Sequence, residues 1–260
     1  MEKSPYDHPE LYELAFSWRD YGKAVDFISA AAGLAGTAAI SSMVELGCGP
    51  GQYCREFARR GVTAYGVDSS PEMALYAQRY YDDEKLPGYI LEADMRSFRL
   101  ERKVDLAVCM MATFTHLLTN RDILDHFTAV ADNLRDDGLY LLELPHPRDS
   151  FDTDKSTRDV WEMEKDGAIL SIDWCSDAAF DPITEINRGT VRFKLEKDGR
   201  VDSFESPDES RRMTFGNLRA LLELSGRFHI AAIYGDLDVN VPFDNARKAW
   251  RMVLVLRKSP

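Results

Sequence analysis

Apolar positions along the 260-residue chain follow three successive periods. Across residues 8–32, Leu11, Leu14, Phe16, Trp18, Val25 and Ile28 recur at roughly helical spacing, which predicts two short helices broken near Tyr21-Gly22. Short, nearly continuous apolar runs follow at 43–46, 62–67, 89–93, 104–110 and 139–144. Amphipathic stretches of helical length, at 52–60, 71–82 and 121–134, lie between most of them. Apolar strands alternating with helices predict an α/β fold with a parallel sheet buried on both faces.

After Pro145 the period becomes two, most clearly at 168–174 and 190–196. Lys165-Asp166-Gly167 and Lys197-Asp198-Gly199 have the chemistry of hairpin turns, so this stretch reads as an antiparallel insert. A capped helix over 214–224, ending at Gly226, then precedes strands at 228–234 and 249–256, which fit an antiparallel pair closing the sheet.

The first strand runs into Glu45-Leu46-Gly47-Cys48-Gly49-Pro50-Gly51, with a helix starting near Gln52. Glycines here allow positive φ and close approach of a ligand to the backbone, and the helix N-terminus offers N–H groups to a carboxylate. Gly51 comes one position too early for the third glycine of the dinucleotide fingerprint, and Gln52 stands in its place. Asp68 ends the second strand, where a carboxylate accepts from ribose hydroxyls, a position equally suited to a nicotinamide dinucleotide. The third strand ends in Glu92-Ala93-Asp94-Met95, and Asp94 reads either as an acceptor for an adenine amino group or as a turn residue.

In order, and at the carboxyl ends of successive strands, these features resemble the class I S-adenosylmethionine-dependent methyltransferases over roughly 43–144. The resemblance implies a Rossmann-like, seven-stranded, mostly parallel sheet with helices on both faces, plus the antiparallel insert after the fifth strand. It divides the chain into an N-terminal helical lid (1–42), a core (43–148 and 210–260) and the insert (149–209). It places Glu45, Gly47, Cys48, Gly49 and Gly51 around the methionine part of S-adenosylmethionine and Asp68 with Ser69 on the ribose. Met73, Asp94 and Met95 then fall near the adenine, and Tyr12 and Met110 complete the cofactor set. Met73 also reads as a core residue of the second core helix.

After the fourth strand, Cys109-Met110-Met111 supplies no carboxylate for a divalent cation and no Asp/Asn-Pro-Pro-aromatic motif follows. A metal-independent reaction on a small-molecule nitrogen or oxygen is therefore expected. Met110-Met111-Ala112-Thr113-Phe114-Thr115-His116, Arg212-Met213-Thr214-Phe215 and Leu11-Tyr12-Glu13-Leu14 are similar to the N-methyltransferases of nucleotide-linked amino sugars. That likeness puts His116 near the acceptor as general base. The chain departs from that subgroup at Phe16, where an aromatic hydroxyl is expected, and at Pro145-His146-Pro147, which replaces an aromatic pair. Phe16, Tyr21 and His146 are candidate acceptor-side residues. His8, His126 and His229 read as structural.

The net charge of -12 argues against a nucleic-acid partner. The four cysteines lack metal or redox spacing and read as free thiols. Met1-Glu2-Lys3-Ser4-Pro5-Tyr6 has no apolar signal core, and the Ala-rich run at 28–40, broken by Gly33 and Gly36, is too short to span a bilayer. A cytoplasmic enzyme is the expectation, with the insert read as a cover for the acceptor, a homodimer contact, or both. An NAD-dependent oxidoreductase and a non-catalytic module of the same fold are the alternatives.

Overall fold

A computed structural model describes residues 4–37, 39–149, 158–176, 181 and 183–260. Parts of the expected lid (1–3, 38) and of the insert (150–157, 177–180, 182) lie outside the described residues. Helices α1 (Pro9–Ala15) and α2 (Tyr21–Leu34) precede a seven-stranded sheet. Its strands are β1 (Ser42–Leu46), β2 (Thr63–Asp68), β3 (Gly88–Glu92), β4 (Val104–Cys109), β5 (Leu134–Pro145), β10 (Phe228–Tyr234) and β11 (Arg251–Lys258). Their order is β10-β11-β5-β4-β1-β2-β3, and β11 alone runs against its neighbours. The connecting helices are α3 (Gln52–Arg59), α4 (Pro71–Glu84), α5 (Asn120–Asn133) and α6 (Phe215–Ser225).

The continuous apolar runs have a simple cause. Met43, Leu106, Val108, Leu139 and Val253 face a core shared with Val25, Ile28, Tyr53 and Phe57. Their strand neighbours Val44, Ala107, Cys109, Tyr140 and Leu254 face a second core with Phe127, Val130, Leu218 and Leu222. Both faces are covered, so both sets of alternate positions must be apolar.

The insert is a second sheet in the order β6 (Arg158–Lys165), β7 (Ala168–Ser176), β8 (Ile186–Lys197) and β9 (Arg200–Arg211). Both Lys-Asp-Gly tripeptides form tight hairpins, with Asp166, Gly167, Asp198 and Gly199 all at positive φ. The sheet continues to Arg211, beyond the expected boundary at 209. Its inner face packs Leu170, Ile172, Val191 and Phe193 against Ala15 and Phe16, so α1 rests on the insert as well as on the core.

Two expectations are corrected. The N-terminal helices break at residues 16–20, not near Tyr21-Gly22, because the Asp20 side chain accepts from the Lys23 N–H at 3.0 Å and caps α2 one residue before Tyr21. The helical stretch expected over 121–134 ends at Asn133, because Leu134 already pairs with Val104 and opens β5. The three cysteines Cys48, Cys54 and Cys109 are buried, and all four cysteines are free. No helix among the described residues is long and apolar enough to cross a membrane.

His126 on α5 is fully buried. Its Nδ1–H donates to the Met95 carbonyl at 3.0 Å, and its Nε2 accepts from the Tyr140 hydroxyl at 2.8 Å. Burial, partly offset by the Met95 carbonyl, lowers its pKa from 6.5 to about 4. The unfolded chain therefore binds a proton that the native chain refuses between those values, and stability falls as pH falls. Stability should be full above pH 6.5 and lose about 3 kcal/mol by pH 4 from this group. Urea unfolding of wild type and His126→Gln at pH 7 and 4.5 should show a steeper loss in wild type; parallel losses would remove His126 as the cause.

Candidate active site

The carboxyl ends of β1, β2, β3 and β4 open into a cavity of about 520 Å³. Its floor is the turn after β1. Gly47, Gly49 and Gly51 have φ of 60°, 53° and 80°, a region that L side chains rarely adopt. A Cβ at Gly47 would lie 2.2 Å from Thr113 Cγ2, so the loop after β4 presses directly on this turn. A Cβ at Gly49 would project toward Tyr12 and Met73, 3.9 and 4.0 Å away, narrowing the cavity between them.

Side chains hold the turn in place. Asp68 Oδ2 accepts from the Gly49 N–H at 2.7 Å, and its Oδ1 accepts from the Ser70 N–H at 2.9 Å. Burial raises the Asp68 pKa, opposed by these backbone donors. Glu45 lines the cavity and is 4% exposed; its Oε2 accepts from the Cys54 N–H at 2.9 Å and caps α3. Cys48, Ser69, the buried Met73 and Met110, and Met95 all line the cavity. Asp94 reaches its rim, where Arg96 donates to both carboxylate oxygens and lowers the Asp94 pKa. Asp94 thus serves a turn and an ion pair at the position expected to meet adenine.

Aromatic side chains close the opposite side. Tyr12 lines the cavity 4.7 Å from Phe16 and 5.7 Å from Tyr6, ring centre to ring centre. The buried hydroxyl of Tyr6 has no partner among the described residues. Tyr21 also lines the cavity and sets its ring edge-on to Tyr53, 5.1 Å away. Helix α1 is held down by Glu13, which accepts from Tyr76 and Tyr80 at 2.6 and 3.1 Å and pairs with Arg55.

A second cavity of about 550 Å³ lies between the core and the insert. Phe16, Trp161, Trp174 and Trp250 give it aromatic walls, and Arg212 lies on it with its Nε unpartnered among the described residues. Tyr12, Met111, Thr113, His116 and Asp208 line both cavities and form the junction between them. His116 is exposed there, and its Nδ1–H donates to the Glu209 carbonyl at 3.2 Å, which leaves Nε2 as the ring's acceptor. His146 lines the second cavity but is 3% exposed; its Nε2–H donates to the Asp244 carbonyl at 3.0 Å and its Nδ1 accepts from the Arg148 N–H at 3.1 Å. These hydrogen bonds fix the His146 ring at the wall of the second cavity.

Residues 43–138 match the family described as methyltransferase domain. Those residues form the turn and strand ends just described. Residues 43–138 are a methyltransferase domain.

S-adenosylmethionine is the cofactor of this domain, and no observation favours the dinucleotide alternative. Over 142 residues the chain is 26% identical to the dTDP-3-amino-3,4,6-trideoxy-alpha-D-glucopyranose N,N-dimethyltransferase of Streptomyces venezuelae. That match covers 53% of this chain and 56% of that enzyme, about half of each. The fold is similar to an S-adenosylmethionine-dependent methyltransferase from Clostridium acetobutylicum (TM-score 0.79, 16% identity, 95% and 96% of the two chains). It is also similar to Streptomyces venezuelae DesVI (TM-score 0.77, 20% identity, 95% and 97%). The shared extent includes the insert.

Tyr6, Thr113, Trp161, Trp174 and Asp208 escaped the sequence reading. Asp208 had left a signal. On β9 the inward positions 204, 206 and 208 alternate with exposed ones, and an acid on the buried side of an alternating strand is out of place.

Replacing Asp68 by Ala removes both the Gly49 anchor and an acceptor facing the cavity. The dissociation constant of S-adenosylhomocysteine, measured by calorimetry, should rise about 10- to 100-fold, the cost of charged hydrogen bonds. An unchanged constant would take Asp68 out of the cofactor site.

Proposed function

We propose that this methyltransferase acts on the amine nitrogen of a small molecule held in the second cavity, with His116 as the base. The junction carries the reading: a donor cavity and an aromatic-walled cavity meet at a place lined by Tyr12, Met111, Thr113, His116 and Asp208. The relative from Streptomyces venezuelae, named as an N,N-dimethyltransferase of an amino sugar, supports nitrogen over oxygen. A volume of about 550 Å³ fits a small acceptor, and the charge of -12 disfavours nucleic acid.

Gly47, Gly49 and Gly51 would lie along the methionine part of the cofactor, Asp68 and Ser69 on the ribose, and Met73, Asp94 and Met95 by the adenine. Met110 and Tyr12 would flank the sulfonium, whose charge an aromatic face favours by about 0.5–2 kcal/mol. S-adenosylmethionine supplies an electrophilic methyl group: the N–C bond forms as the S–C bond breaks and its electron pair stays on sulfur. His116 Nε2 takes the proton of the acceptor nitrogen, and the Glu209 carbonyl fixes the tautomer that leaves this atom unprotonated. Residues 1–42 act as a lid, with Tyr6 and Tyr12 excluding water and holding the reactants in line.

We read the transfer as metal-independent because Cys109-Met110-Met111, after β4, offers no carboxylate to a divalent cation. Free, buried thiols suit a reducing cytoplasm. The exposed Val160, Ile169 and Val201 of the insert are where a homodimer would pack.

Labelled methyl transfer to a panel of amines, phenols and carboxylates tests the reading, with amines expected to be the only group methylated efficiently. His116→Gln should lower turnover about 100-fold or more while S-adenosylhomocysteine binding stays unchanged. Unchanged turnover would remove His116 as base, and methylation confined to phenols or carboxylates would overturn the amine assignment.

A further inference from the structure

We infer that Asp208, brought into the site by the insert, is the carboxylate that receives the protonated amine of the acceptor. The inference rests on the amine reading above. Asp208 lies on β9, opposite Gly189 of β8, at an inward position of the edge strand that faces the turn carrying His116. It is 6% exposed and lines both cavities. Its Oδ2 accepts from Trp174 Nε1–H at 3.0 Å, and no Lys, Arg or His nitrogen among the described residues lies within 4.0 Å of it.

A carboxylate removed from water and given one neutral donor is an unusual resident for a protein interior. Oδ2 is held by the indole, so the carboxylate is oriented, and no cation pairs with it within 4.0 Å among the described residues; Arg212, on the same cavity, acts on it only from farther off. The cavity that Asp208 faces is large enough for a ligand that supplies a paired cation. A primary or secondary ammonium fits that need: its N–H groups donate to the carboxylate and its charge is matched there.

The adjoining residue ties this carboxylate to the base. Glu209 is next in the strand, and its carbonyl accepts from His116 Nδ1–H. Side chains alternate along a strand, so the hydrogen bond that orients His116 also registers Asp208 beside it. The ammonium gives one proton to His116 Nε2, and the nitrogen lone pair so released forms the new N–C bond while the S–C pair returns to sulfur. The nitrogen is again a cation after transfer, and Asp208 faces it throughout. A hydroxyl acceptor would offer no such charge before or after reaction. Asp208 therefore selects amines over alcohols of the same shape.

The test uses the amine that the enzyme methylates best and its isostere with hydroxyl in place of the amino group. In Asp208→Asn, KM for the amine should rise about 10-fold or more and kcat/KM should fall about 100-fold, as for a buried charge pair that loses one partner. The inhibition constant of the hydroxyl isostere and the affinity for S-adenosylhomocysteine should stay within about two-fold. Loss of amine preference with the isostere unchanged is the expected signature. An unchanged amine KM overturns the inference, and so does an equal weakening of amine and isostere, which marks a packing role. Should Asp208→Asn fail to fold, Trp174→Phe keeps the carboxylate and removes its tether. A selective rise in amine KM then supports the assignment, and equal changes overturn it. A wild-type enzyme that methylates no amine fails the functional reading itself, whereas an amine methyltransferase indifferent to Asp208→Asn fails only this inference.

Discussion

One buried carboxylate holds together the parts of the molecule that the site needs. Glu143 on β5 is 2% exposed and accepts from Arg19 at 2.8 and 3.1 Å, pairs with Arg251, and accepts from the Met111 N–H at 2.9 Å. Arg19 comes from the turn between α1 and α2 and lies over the Tyr53 ring, 5.6 Å from its centre. Arg251 opens β11 and stacks on Trp250 at 3.7 Å. Removing Glu143 would leave Arg19 stranded in a low-dielectric interior, at a cost of about 3–5 kcal/mol, whereas Arg251 would keep Asp236. The two N-terminal helices, the turn after β4 and the reversed last strand are therefore placed by one group.

That constraint explains a local oddity. Met111 and Ala112 are consecutive non-glycine residues with φ of 55° and 62°. Such backbone costs roughly 1–3 kcal/mol per residue and persists only where the surroundings enforce it. Glu143 grips the Met111 N–H on one side, and Thr113 abuts Gly47 on the other. The turn so formed carries His116 to the junction of the cavities. The insert completes the enclosure from above: Trp161 Nε1 donates to the Ala15 carbonyl at 2.7 Å, joining α1 to β6.

The sequence made some of this plain and hid the rest. Strands such as Val104-Asp105-Leu106-Ala107-Val108 were legible because burial on both faces writes an apolar run, and the insert because a half-buried sheet writes a period of two. The glycine turn and Asp68 were legible because positive φ and a strand-end carboxylate each demand particular residue types. Glu45 and His146 also carry hydrogen bonds that no local pattern records, from Cys54 in one case and with Arg148 and Asp244 in the other. Glu143 and Asp208 depend on partners more than thirty residues away, and no local pattern records such pairings. The break before Tyr21 was set by a cap at Asp20, which outweighed the glycine that follows.

The insert sits between β5 and α6, two successive elements of the core, and is one contiguous stretch of chain. The residues assigned to the methyl donor all lie before it, from Tyr12 to Met110. On the assignments above, the donor contacts are confined to the first 110 residues, whereas the acceptor cavity draws on Phe16 and His116 before the insert, Trp161, Trp174 and Asp208 within it, and Trp250 after it. Drift within the insert could therefore reshape the part of the acceptor wall that Trp161, Trp174 and Asp208 supply, while the donor contacts and His116 stay as they are.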